Sequence, residues 1–169
     1  EASSIGLDQN RLHPFKFNKV VFTNLTIDHL DYHKSFEKYK HSKGLLFKNY
    51  TNDNSIGIIN TDSKYSKFFL EICKKKKIEI IDFGKKANFL KIIKIKNQDR
   101  LFNIFMSINE KQFNIFFESF SIYEIYNKIC ALLIVFGKSL KEKHFQIIKK
   151  LKNPPGRIEK ISNIKDLHI

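Results

Sequence analysis

The sequence predicts an α/β fold of three layers, with a mainly parallel sheet and an antiparallel β extension from about Phe89 to Glu118. Three observations carry this. Short apolar runs alternate with helical stretches between Lys19 and Gly84, the order that builds parallel βαβ units. Residues 89–118 then switch to apolar–polar alternation, which suits strands with one buried and one wet face. Finally, Ser121 to Gly137 is apolar almost throughout, as a helix packed against such a sheet must be.

Taken in order, Glu1 to Arg11 (EASSIGLDQNR) reads as the last residue of a strand followed by a turn through Ser3, Ser4 and Gly6. Pro14 to Asn18 is a connection. The apolar Val20, Val21 and Phe22 open a strand over Lys19–Leu25, which delivers a polar loop holding Asp28, His29, Asp31 and His33. Phe36, Tyr39, Leu46, Phe47 and Tyr50 then recur at helical steps, the stripe of a helix turned to a core. Ser55–Asn60 (SIGIIN) is a buried strand, and Asn60 to Ser63 supply side chains able to cap a helix over Lys64–Lys76. Ile78–Phe83 is the next strand, ended by Gly84.

Phe89–Lys96, Arg100–Ile108 and Lys111–Glu118 follow as an antiparallel meander, with Asn109-Glu110 as a tight connection. Gly137 suits the C-cap of the apolar helix, and Lys141–Leu151 reads as a second, amphipathic helix. Asn153-Pro154-Pro155-Gly156 breaks it, and Arg157–Ile161 is expected to be extended.

At 169 residues, 42% hydrophobic and with 17 phenylalanines, the chain can bury one full core. It holds no apolar run long enough for a transmembrane helix, so no membrane insertion is expected. Opening in mid-motif at Glu1, it is expected to be a fragment. A net charge of +14 and a pI near 9.7 raise the alternative of a basic nucleic-acid-binding module. The lysines, however, travel with isoleucine and asparagine along the whole chain, a bias of composition, and no nucleic-acid partner is expected. The dense run Lys74–Lys77 falls at the expected end of a helix, where cations favour the dipole. Cys73 and Cys130 have no CxxC spacing and read as reduced thiols of a cytoplasmic, monomeric protein.

The chemistry gathers at the strand ends. Open α/β sheets bind ligands outside the carboxyl ends of their strands. Glu1 and His29 both have such positions, and a carboxylate there can hold a hard cation. Read alone, each is equally an ordinary surface residue. His33 and His41 lack that placement and read as surface residues. Lys43 lies on the core-facing helical stripe. It either snorkels its ammonium to water or ends in a cavity where the neutral amine is favoured. A neutral amine can take up carbon dioxide as a carbamate, which gives the lysine a carboxylate.

The stretch FTNLTIDHLDYH, followed by a tyrosine and SKGLLF, resembles the central ATP-binding domain of the Mur ligases, and specifically the MurE type. The opening EASSIGLDQNR and the late PPGRIE resemble two further segments of that family, in the same order. The resemblance implies a P-loop-NTPase-like central domain that is incomplete at its N-terminal side, so its parallel sheet should expose an edge. Residues 1–161 would be the partial central domain, and 162–169 the start of a connection to a C-terminal domain. The implied activity is ATP-dependent addition of a diamino acid to UDP-N-acetylmuramoyl-L-alanyl-D-glutamate through an acyl phosphate, with Mg2+ as cofactor.

By that resemblance Glu1, His29 and a carbamylated Lys43 serve the metal and catalysis, Ser3, Gln9 and Arg11 meet the uridine-nucleotide substrate, and Asn127 and Arg157 meet ATP. Ile5 stands where the family has histidine, and the residues before Asn127 depart from the usual glycine and phenylalanine-asparagine. A degenerate ligase relative is therefore a third alternative. The plain reading of Asn127 is a helix-surface residue, and that of Arg157 an ion pair with Glu159. No glycine-rich phosphate loop ending in Gly-Lys-Thr or Gly-Lys-Ser occurs in the stretch, since Gly137-Lys138-Ser139 has Leu132 where the loop's first glycine would stand, so the fragment by itself is expected to be inactive. The choice between meso-diaminopimelate and L-lysine stays open.

Overall fold

Residues 1–119 and 121–151 are described by the structure, a computed structural model. Its centre is a six-stranded sheet in sequential order. Strands β1 (Lys19–Phe22), β2 (Ile56–Asn60) and β3 (Glu79–Gly84) run parallel, and β4 (Leu90–Gln98) joins β3 in parallel through Phe83↔Leu90 and Gly84↔Lys91. Then β5 (Leu101–Ile108) and β6 (Lys111–Glu118) each reverse, giving the expected antiparallel meander. β1 lies at one end of the sheet and, among the described residues, pairs with no strand on its outer side, which is the exposed edge the sequence predicts.

Each face of the sheet carries its own core, because successive side chains of a strand point to opposite faces. On β2, Ile59 enters a core with Val20, Phe22, Phe47, Phe69 and Cys73, under helices α3 (Phe36–Asn49) and α4 (Ser66–Lys75). Its neighbour Ile58 enters the other, with Ile81, Ile104, Met106, Ile129, Leu133 and Phe145. That second core is covered by α5 (Ile122–Phe136) and a 3₁₀ segment, Glu142–Lys150. Burying one such side chain contributes about 1.5–3 kcal/mol. The result is the three-layer sandwich expected. Two glycines let the first layer close. A Cβ on Gly57 would meet Cys73 Sγ at 2.7 Å, and one on Gly44 would meet the Phe68 ring at 2.8 Å.

Local signals explain the turns. Ser121 caps α5, its Oγ accepting the Glu124 amide at 3.2 Å, and Gly137 ends the helix at φ 52°. Asn109 and Glu110 sit at φ 48° and 67°, the pair of left-handed residues that a two-residue hairpin demands.

Three expectations are corrected. The strand expected over Lys19–Leu25 stops at Phe22, because the Asn60 side chain takes the Thr23 carbonyl at 2.8 Å and draws the chain out of the ladder; Leu25 stays buried. The residues Asn60–Ser63 do not cap α4. Asn60 Oδ1 instead accepts the Asp62 amide at 3.0 Å and folds the loop, and the helix starts at Ser66 behind Tyr65, which makes no side-chain cap. The amphipathic helix expected over Lys141–Leu151 is 3₁₀. Three residues per turn stack Phe145 above Ile148, both buried, on the face toward the core. Arg157, the extended segment around it and the boundary at 161/162 lie outside the described residues. Among the described residues no helix is long and apolar enough to cross a membrane.

Candidate functional site

Parallel strands cannot close on themselves through short turns, so β1–β3 end in polar loops on one side of the sheet. Thr23 and Asn24 follow β1, Asn60 to Ser63 close β2, and Lys85 and Lys86 follow β3. The first half of α5 overhangs these loops. Between the β1 loop, α3 and α5 lies a crevice of about 980 Å³, lined among others by Glu1, Thr23, Asn24, Lys43, Asn127 and Lys128. A second hollow of about 710 Å³ adjoins it, and Thr23, Asn24, Tyr123 and Asn127 line both.

Three of the residues the sequence singles out thus line one crevice: Glu1, Lys43 and Asn127. The Lys43 ammonium reaches back to donate to the Ala2 carbonyl at 3.0 Å, beside Glu1. On the opposite wall Lys128 pairs with Glu124 at 2.6 Å, and Ser119 donates to the same carboxylate at 2.7 Å. In the adjoining hollow Tyr126 donates to Asp62. Burial and the Asp62 carboxylate push that phenol well above its ordinary pKa. The Tyr126–Asp62 pair has no signal in the sequence, since the two residues come from different elements.

His29 occupies a left-handed position, φ 51°, at the start of the short helix α2 (Leu30–His33). Its Nε2 lies 3.5 Å from the Asp28 carboxylate, and its side chain is 43% exposed. The ring is not part of the crevice wall; it packs near Tyr39, with centroids 6.2 Å apart. Tyr39 in turn is held above its ordinary pKa by burial, then by the negative charges of Asp28 and Glu1. His29 packs near Tyr39, whose phenol also feels the charges of Asp28 and Glu1, and Lys43 lies one turn further along the same face of α3. Among the described residues, no three His, Cys, Asp or Glu side chains converge as a metal cluster.

Ser3, Gln9 and Arg11 all belong to helix α1 (Ser4–Asp8) and its flanks, and all three are exposed. Ser3 Oγ accepts the Gly6 amide at 3.0 Å, and the Arg11 amide donates to the Gly6 carbonyl at 2.9 Å. Gln9 Nε2 donates to the Tyr32 hydroxyl at 3.3 Å. Here the surface reading of His33 is overturned: it is 4% exposed, with Nε2 2.9 Å from Ser4 Oγ. Two serines on neighbouring helices accommodate it, a partnership that spacing cannot reveal. His41 is exposed, as expected.

An open sheet whose first four strands run parallel, with a crevice at its strand ends, defines an α/β domain of the class that places ligands there. The Mur ligase middle domain matches residues 1–135, and the chain belongs to the Mur ligase family. It is 36% identical over 165 residues to a UDP-N-acetylmuramoyl-L-alanyl-D-glutamate–2,6-diaminopimelate ligase of Aquifex aeolicus, covering 98% of this chain and 33% of that protein. A ligase of the same name from Lawsonia intracellularis is 33% identical over 176 residues, covering 100% and 36%. The chain thus spans about a third of the length of these curated relatives.

Among solved structures, one of a UDP-N-acetylmuramoyl-L-alanyl-D-glutamate–2,6-diaminopimelate ligase superposes with a TM-score of 0.77 at 23% identity, covering 93% of this chain and 33% of that one. A MurF ligase from Thermotoga maritima in complex with ADP gives 0.64 at 14% identity, covering 92% and 35%. Both show the same fold.

Proposed function

We propose that this chain is part of an ATP-dependent amide ligase of peptidoglycan precursor synthesis, acting in the cytoplasm as a monomer. The D-glutamate carboxylate of UDP-N-acetylmuramoyl-L-alanyl-D-glutamate attacks the γ-phosphorus of ATP and ADP leaves; the amine of a diamino acid then displaces phosphate and forms the amide. The observation that carries the reading is that a member of this family brings Glu1, Lys43 and Asn127 to one crevice at its strand ends. The names of the relatives favour 2,6-diaminopimelate as the diamino acid.

The difficulty of the reaction is the crowding of anionic oxygens, and Mg2+, when bound, neutralises that charge. The donors present fit such an ion. Glu1 and Asp28 offer carboxylates whose charges reach Tyr39, with His29 packed near that ring. No three His, Cys, Asp or Glu side chains converge among the described residues; a carbamate on Lys43 would add a carboxylate in the crevice that Glu1 also lines, and His29, Glu1 and Lys43 would then hold the ion. Lys43 otherwise keeps its bond to Ala2 and holds the start of the chain against α3. Asn127, exposed between the two hollows, suits a base edge of ATP, and Arg157 its phosphates. Ser3, Gln9 and Arg11 take the uridine-nucleotide side.

The lysines occur on several surfaces, with Lys91, Lys94 and Lys96 on β4 and Lys38, Lys48 and Lys75 on the α3–α4 side. The test is phosphate release by the full-length protein. It should require ATP, the uridine-nucleotide dipeptide and the diamino acid together, and release that ignores the dipeptide would refute the assignment.

A further inference from the structure

Away from the crevice, a buried polar network joins the first helices. His33 closes α2, and its two ring nitrogens reach both neighbours: Nε2 lies 2.9 Å from Ser4 Oγ on α1, and Nδ1 lies 3.5 Å from Ser42 Oγ on α3. Ser42 donates on to Asp8 Oδ1 at 3.2 Å. The Tyr32 hydroxyl donates to Asp8 Oδ2 at 3.1 Å and receives Gln9 Nε2 at 3.3 Å. The rings of Tyr32 and Tyr39 flank the imidazole, at 4.8 and 5.6 Å between centroids.

A serine, a histidine and an aspartate in a hydrogen-bonded chain invite comparison with a hydrolytic triad. Ser4, however, is 0% exposed and has no access to a substrate. With both ring nitrogens engaged and both serines buried, the network is a brace. Its purpose follows from the length of α1. A helix of 5 residues cannot hold itself together in water. Its placement comes from outside, through the His33 network and through Tyr50, whose hydroxyl donates to Asn10 Oδ1 at 2.8 Å.

We propose that His33 is a positioning residue for substrate selection. It fixes α1 against α2 and α3, and through Ser42, Asp8 and Tyr32 it sets where Gln9 stands. Its effect falls on the uridine-nucleotide side of the reaction and spares the ATP side, since the network's bonds above reach no residue of α5. The proposal rests on the reading of Ser3, Gln9 and Arg11 as substrate contacts.

The experiment compares the full-length protein with His33→Ala, His33→Gln, Ser42→Ala and Tyr32→Phe, following KM for the uridine-nucleotide dipeptide, KM for ATP, kcat and thermal unfolding. His33→Ala should raise the dipeptide KM about tenfold and leave the ATP KM within about twofold, the scale of one or two lost hydrogen bonds. His33→Gln, which keeps a donor and an acceptor, should recover most of the loss. Tyr32 is 37% exposed, so Tyr32→Phe tests the link without threatening the fold; it should raise the dipeptide KM about threefold. If His33→Ala does not fold, Ser42→Ala and Tyr32→Phe decide. Equal rises in both KM values, a loss confined to kcat, or an unchanged dipeptide KM in Tyr32→Phe would overturn the proposal. Failure of the underlying reading looks different: the unaltered protein would form no amide from the uridine-nucleotide dipeptide.

Discussion

The parallel half of the sheet and its antiparallel half are built from similar residues but leave different things behind. In β4–β6 the turns Asp99-Arg100 and Asn109-Glu110 close the ladders directly. After β1 and β2 the chain travels through a helix before it pairs again, and after β3 it crosses to β4 through residues 85–89, so each carboxyl end leaves a loop with backbone groups to satisfy. Asn60, Asp62 and Asp82 do this: Asp82 alone accepts the Asn88 and Phe89 amides, at 3.0 and 2.7 Å. The same loops supply polar side chains to the crevice and to the hollow beside it. The candidate site sits on the parallel half because its topology leaves polar loops to use, while the meander contributes a buried face and stability.

This division can be broken most directly at Lys43. In the full-length protein Lys43→Ala should lower turnover by about a hundredfold or more, some 2.7 kcal/mol at 1.36 per decade, with little change in the urea midpoint. A small carboxylic acid that fills the gap should restore part of the activity. Full activity in Lys43→Arg, which cannot carry a carbamate, would reduce Lys43 to an ordinary cation. The converse experiment is Ile104→Ala in the centre of the meander, where the side chain is 0% exposed. It should cost about 2–5 kcal/mol in urea unfolding and leave the KM values of the folded fraction unchanged. A changed KM at equal stability would mean that the two halves do not divide their work in this way.

A smaller effect tests the junction. Ser121 caps α5, the helix that both covers the meander core and overhangs the crevice. Ser121→Ala should cost about 1 kcal/mol, read as a shift in the urea midpoint at unchanged slope. No shift would show that the Glu124–Lys128 pair and Ser119 alone fix this end of the helix.

How much of this the sequence discloses follows the same division. The three meander strands lie within a few residues of their expected bounds, because period-2 alternation with one wet face is a signal that each residue repeats. The end of β1 and the start of α4 differ from expectation through one residue: Asn60 takes the Thr23 carbonyl, a tertiary bond with no local pattern, and turns the Asp62 amide onto its own side chain. Lys43 was legible as a core-facing position because it shares the stripe of Tyr39 and Phe47. His33 was not, since the hydroxyls that make its burial tolerable come from Ser4 and Ser42 on other helices. Spacing finds faces; it does not find partners.

The finest test uses the two cysteines, because each belongs to a different core. Cys73 lies on the buried face of α4 at 0% exposed, and Cys130 on that of α5 at 4%. Burial pushes both thiols up to about 12. An unfolded thiol releases its proton near ~8.5, so below that pH both states are protonated and the shift contributes nothing. Between there and about 12 the unfolded chain binds fewer protons than the folded one, and stability must fall as pH rises. At pH 8 neither cysteine should react with a thiol reagent until the chain opens. Because Ile58 and Ile59 of one strand anchor the two cores, opening one should open the other. Cys73 and Cys130 should therefore become labelled at the same urea concentration, and the urea midpoint should drop between pH 9 and 11. Labelling of Cys73 at a lower urea concentration than Cys130 would show instead that the half bearing the site opens on its own.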